Sequence, residues 1–156
     1  MNFRDWNRQP NSNHCFVCGR NNPVGLYMTF YDNGEDEVRA KQIIPAKYQG
    51  YPGIVHGGVQ AAILDEIVGR VSLIEDFHRF MMSVSLEIKY RLPVPTDTPL
   101  VIVGRKERLR GKWGKASGKI CLPDGRIATE AAMTLAALPE DVRMRAGVDE
   151  LGWRVD

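Results

Sequence analysis

Gly57-Gly-Val-Gln-Ala-Ala-Ile-Leu-Asp-Glu-Ile-Val-Gly-Arg-Val-Ser-Leu73 is the stretch on which the fold turns. Val59, Ile63, Ile67 and Val71 recur every four residues, which lines them up on one side of an α-helix. Ala62, Leu64 and Val68 widen the apolar surface until it nearly encircles the axis, and this predicts a buried helix.

The chain on either side reads as strand. Residues 25–31 and 37–44 flank Asp32-Asn33-Gly34, strong hairpin punctuation. Pro45 to Ile54 is a loop bent at Gly50, Pro52 and Gly53. Beyond the helix, Met82, Val84, Leu86, Ile88 and Tyr90 alternate with polar residues, a period of two that puts Ser83 on the opposite face. Residues 100–110 and 115–122 give two further strands, and Pro123-Asp124-Gly125 turns the chain into a last one, 126–137. One helix cannot cover both faces of a parallel sheet. The expected class is therefore α+β, an antiparallel sheet of about five or six strands wrapped around one long central helix. The domain is expected over residues 25–138. An irregular lead-in, 1–24, lies ahead of it to cover one edge, and a tail, 139–156, holds one short helix.

Composition narrows the function classes. The chain has 156 residues, 44% hydrophobic and 26% charged, as in an ordinary globular domain. A net charge of +2 gives no reason to expect a nucleic-acid partner. No run of 18 apolar residues occurs, so no membrane partner is expected. Three cysteines, Cys15, Cys18 and Cys121, exclude a complete disulfide framework. With no apolar leader at the N-terminus, the expected location is cytoplasmic.

Two features of the helix carry chemistry. Glu66 has Arg70 four residues later, the arrangement of an exposed ion pair. Asp65 has no such partner: its helical neighbours are Ala61, Ala62, Val68, Gly69 and Ser72. A carboxylate among small and apolar neighbours is either tied up by internal donors or kept for a task. At the helix start, His56-Gly57-Gly58 places glycines where unpaired N–H groups suit a carbonyl oxygen gaining negative charge. Together they suggest acyl transfer. Gly57 and Asp65 are eight residues apart, however, roughly 12 Å along a helix at ~1.5 Å per residue. One helix cannot bring both to one carbonyl, so a homo-oligomer with composite sites is expected, at least a two-fold dimer.

His56-Gly-Gly-Val-Gln-Ala-Ala-Ile-Leu-Asp65, with the later Tyr90-Arg-Leu-Pro-Val-Pro95, resembles the hotdog-fold acyl-CoA thioesterases of the phenylacetate-pathway, 4-hydroxybenzoyl-CoA thioesterase-like type. Cys15-Phe-Val-Cys18-Gly-Arg-Asn-Asn-Pro-Val-Gly25-Leu26 and Tyr48-Gln-Gly-Tyr-Pro-Gly-Ile-Val55 resemble segments of bacterial members. The likeness covers roughly residues 14–137. It implies the hotdog fold, in dimers or dimers of dimers. It also implies that an acyl-CoA is hydrolysed to free acid and CoA without a cofactor, CoA being part of the substrate. Asp65 would be nucleophile or general base. Gly57, with Gly58, would polarise the thioester carbonyl. His56 would orient that region, and Ser83 would position the attacking water. Some members carry an Asn or Gln ahead of the His-Gly-Gly, a place only Gln49 could fill here, and Glu66 is the alternative acid. The rival reading is a non-catalytic acyl-CoA-binding sensor or scaffold on the same fold. A hotdog dehydratase or hydratase fits the order of His56 and Asp65 less well.

Two further signals stand apart. Cys15-x-x-Cys18 lacks the second pair of ligands that zinc needs, so two small thiols in a turn are expected, with no metal. Arg105 to Lys119 carries seven cations, Arg105, Lys106, Arg108, Arg110, Lys112, Lys115 and Lys119, against Glu107 alone. Such a cluster suits CoA phosphates or is simply a solvated strand face; Lys89 and Arg91 are alternative phosphate contacts.

Overall fold

Strand β1 (Asn7–Arg8) comes from the lead-in, followed by β2 (Tyr31–Asp32) and β3 (Glu37–Ile43). Helix α1 (Gly57–Gly69) runs on into a 3₁₀ turn, Arg70–Leu73. Four long strands follow: β4 (Met81–Tyr90), β5 (Pro99–Arg110), β6 (Trp113–Cys121) and β7 (Ile127–Ala137). Two short helices, α2 (Glu140–Arg145) and α3 (Val148–Leu151), close the chain. The computed structural model describes residues 3–145 and 147–156; Met1 and Asn2 of the lead-in and Ala146 of the tail lie outside the described residues.

Among the described residues seven strands pair antiparallel in one sheet, in the order β1-β2-β3-β5-β6-β7-β4. This is the α+β arrangement expected: α1 lies against one face, its Ile63, Leu64, Ile67 and Val68 buried with Phe30, Ile102, Ile120 and Leu135. Glycines in two strands set how close the helix can come. A Cβ on Gly104 would sit 2.6 Å from the Ile67 carbonyl oxygen, and one on Gly118 would sit 2.6 Å from a Val68 methyl. A Cβ on Gly69, by contrast, would meet nothing within 4 Å. Opposite signs follow. Gly104→Ala should destabilise by about 1–3 kcal/mol through overpacking, whereas Gly69→Ala should stabilise by up to ~1 kcal/mol through helix propensity. Urea unfolding of the two variants checks both, and equal shifts would mean the helix does not rest on Gly104.

Three local expectations need correcting. Among the described residues, the strand expected over 25–31 pairs in the sheet only at its last residue, Tyr31, which with Asp32 makes β2. Leu26, Met28 and Phe30 are buried on alternate positions, but Tyr27 has φ +54, which breaks the extended run. The backbone there bonds the lead-in instead, Leu26 N–H to the Phe16 carbonyl and Met28 N–H to that of Val17. In β4 the alternation changes phase at a bulge between Ser83 and Ser85. Met82 and Val84 are therefore exposed, while Leu86 and Ile88 pack on the core. Among the described residues the tail holds two short helices rather than one, and it doubles back on the lead-in through a bridge between Arg154 and Asn11.

Candidate active site

The start of α1 is built by its histidine. His56 is the N-cap, with extended backbone (φ −56°, ψ 137°), and its Nδ1 accepts the Gly58 N–H at 2.9 Å. A Cβ on Gly58 would lie 3.1 Å from that nitrogen, so a larger residue there would push the ring back by a few tenths of an ångström. The Gly58 N–H is thus already bonded. The Gly57 N–H has no partner among the described residues, which makes it the free donor of the helix end. Tyr90 of β4 donates its hydroxyl to the Gly57 carbonyl at 3.0 Å and fixes that turn against the sheet. Gln49 sits in the preceding loop, where its Oε1 accepts the Gly53 N–H at 3.0 Å.

Asp65 lies two turns further on, at the exposed margin of α1. Ser83 donates its hydroxyl to Asp65 Oδ1 at 2.5 Å. Among the described residues Oδ1 is the only carboxylate oxygen of Asp65 with a hydrogen-bond partner. The contact depends on the β4 bulge, which turns Ser83 inward at the level of Asp65 before the phase changes. The carboxylate opens onto a cleft of about 380 Å³, lined also by Cys15, Phe80, Met81 and Trp153. It is neither sealed nor saturated by internal donors. The lead-in and tail residues of this wall were missed from sequence, because nothing local relates residues 15 and 153 to residue 65.

Glu66, the neighbouring acid, is committed elsewhere. Its Oε1 accepts from Arg70 Nε at 2.9 Å and its Oε2 from the Cys15 thiol at 3.5 Å. The pair with Arg70 exists as the spacing implied, but it is not exposed. Arg70 is buried, its guanidinium 4.1 Å above the Phe30 ring and Nη1 donating to the Pro10 carbonyl at 2.8 Å. The 3₁₀ turn tightens the helix end and draws Arg70 under the lead-in. The Cys15 thiol beside Cys18, helped by the Arg70 guanidinium, brings the Cys18 thiol pKa down to about 7. Cys15 is pushed well above the usual thiol range by its bond with Cys18, by burial and by the Glu66 carboxylate.

The cationic stretch is divided. Arg105 pairs with Asp36 at 3.1 Å and Lys106 with Glu75 at 2.8 Å. Arg108, Arg110 and Lys115 line a separate surface recess beside Trp113. Lys89 pairs with Glu87 and Arg91 with Glu130.

Known proteins share this fold. The thioesterase superfamily model matches residues 52–129, half of the chain, from the loop before His56 to β7. The chain belongs to the thioesterase superfamily. The acyl-coenzyme A thioesterase THEM4 of Rattus norvegicus is 29% identical over 86 residues, 55% of this chain and 36% of that protein. The chain thus matches about a third of the length of that curated relative. Among solved structures, a thioesterase superfamily protein superposes with a TM-score of 0.71 at 25% identity, covering 80% of this chain and 60% of its own. The Streptococcus mutans protein smu.793, solved bound to acetyl-CoA, gives a TM-score of 0.61 at 20% identity over 65% of this chain and 81% of its own. The hotdog architecture is thereby established. Among the described residues no helix is long and apolar enough to cross a membrane.

Proposed function

We propose that this chain is an acyl-CoA thioesterase, hydrolysing the thioester to a carboxylic acid and free CoA, with CoA entering only as part of the substrate. The observation that carries the reading is the Asp65 carboxylate, exposed to a cleft and bonded, among the described residues, by Ser83 alone. In a thioesterase superfamily chain this is the group free to attack or to take a proton from water. Curated relatives named acyl-CoA thioesterases and a neighbour solved with acetyl-CoA support the substrate class.

The carbonyl oxygen would be held by the Gly57 N–H, at the positive end of α1, as charge develops on it. His56 takes the Gly58 N–H, so its part is to shape the helix end rather than to touch substrate. Ser83 fixes one oxygen of Asp65 and leaves the other to act. Ser83→Ala should therefore lower kcat roughly 10–100-fold, the value of one hydrogen bond to a charged group, with KM little changed. An unaltered kcat would reduce Ser83 to a strand residue.

The site is completed by a second subunit. Gly57 and Asp65 face different stretches of β4, near Tyr90 and Ser83 respectively. Strand β4 ends the sheet, and it carries exposed Met82 and Val84. Pairing two β4 edges about a two-fold axis reverses one helix relative to the other and carries the partner's helix start toward Asp65. A homodimer is thus the smallest active unit, and dimers of dimers satisfy the same geometry. All three cysteines are free thiols, which suits the cytoplasm.

The deciding experiment is free-thiol release across a panel of acyl-CoAs. Turnover of at least one is expected. Tight CoA binding with no thiol released from any of them would favour the non-catalytic sensor.

A further inference from the structure

We propose that Cys15, Cys18 and Glu66 form a binding site for a thiophilic divalent cation of the zinc class, which clips the lead-in to helix α1. The two thiol sulfurs and one Glu66 oxygen all lie within 4.8 Å of one another. The third ligand is invisible in the sequence, since 51 positions separate Cys15 from Glu66. The distances suit the ion. Sulfur at ~2.3 Å and oxygen at ~2.0 Å on a tetrahedral zinc are roughly 3.5 Å apart, and Cys15 Sγ stands 3.5 Å from Glu66 Oε2. The cation would replace the thiol proton in that contact with little movement of either side chain.

The surroundings are those of a metal-bound thiolate. Cys15 Sγ accepts the backbone N–H groups of Val17 and Cys18, both at 3.3 Å, the donors that spread charge from a ligating sulfur. Ser12 accepts the Cys15 N–H at 3.2 Å, and its hydroxyl lies 3.7 Å from Cys18 Sγ. The turn after Cys18 is closed by Gly19, where a Cβ would come within 2.4 Å of the Cys15 carbonyl oxygen. Charge also balances. Two thiol protons leave as one divalent cation enters, so the net charge of this half-buried place is unchanged. Loaded, it holds two thiolates and a carboxylate against the cation and the buried Arg70 guanidinium, a sum of zero. Two soft sulfurs select zinc-like ions over magnesium or calcium.

Among the described residues no fourth His, Cys, Asp or Glu joins the group. Cys15, Cys18 and Glu66 all line the cleft shared with Asp65, from which water would supply the remaining ligand. The cation is thus a positioning element one residue away from the acid, and the assignment does not depend on thioester hydrolysis.

The test is titration of the reduced, chelator-stripped full chain with Co²⁺ alone. A thiolate-to-cobalt charge-transfer band should grow to saturation at one equivalent and vanish when Zn²⁺ is added. Cys15→Ser should abolish the band, and Glu66→Gln should weaken Co²⁺ binding at least about tenfold while keeping it. On the unmutated chain, Zn²⁺ should shield two of the three cysteines from a thiol reagent. A missing band, a band unchanged in Cys15→Ser, or three thiols equally reactive under Zn²⁺ would overturn the assignment. So would recovery of Cys15 and Cys18 as a disulfide with no metal uptake.

Discussion

Asp65→Asn should lower kcat by about 10²–10⁴-fold, the range expected on removing a general base, and by more if the carboxylate is the nucleophile. The substitution is close to isosteric, and the amide oxygen can still accept from Ser83, so the fold and KM should change little. Steady-state thiol release beside a thermal melt separates loss of chemistry from loss of structure. Full activity in this variant would end the assignment of Asp65. A loss falling instead on Glu66→Gln would move the acid by one residue, against the contacts that hold Glu66 to Arg70 and Cys15.

Gly57→Pro should be nearly as severe, about 10²–10³-fold in kcat, because it deletes the one free N–H at the helix start. Proline is favoured at the first helical position, and His56, with ψ 137°, already has the extended backbone that a residue before proline adopts. The helix should therefore survive the loss of its donor. The two variants also test the subunit arrangement. Each alone is nearly dead, but subunits unfolded together and refolded as a 1:1 mixture should recover about a quarter of wild-type activity. Half of the dimers are then hybrids, and each hybrid has one site with both an intact Asp65 and an intact Gly57. No recovery would show that donor and acid act within one subunit, which the length of the helix between them makes hard to satisfy.

Much of this was legible because it depends on local repetition. The four-residue spacing of Val59, Ile63, Ile67 and Val71 selects a helix whatever surrounds it, and turn residues fix where the strands β5, β6 and β7 begin and end. An acid without a cation at helical spacing marked Asp65, and a histidine ahead of two glycines marked the helix start. These readings use interactions within a few residues, which a linear string records in full.

Tertiary structure decided whatever depends on contacts between distant segments. Only the β4 bulge turns Ser83 onto Asp65 and Met82 outward, because a strand's phase is set by its register with a neighbour. Only packing buries Arg70 over Phe30 and so keeps Glu66 from serving as a free acid. The His56 ring chooses Gly57 over Gly58 as the open donor, and chain folding brings Cys15 and Cys18 beside Glu66. Periodicity thus placed the acid on its helix; long-range pairing gave it a hydroxyl, a cleft and its neighbours.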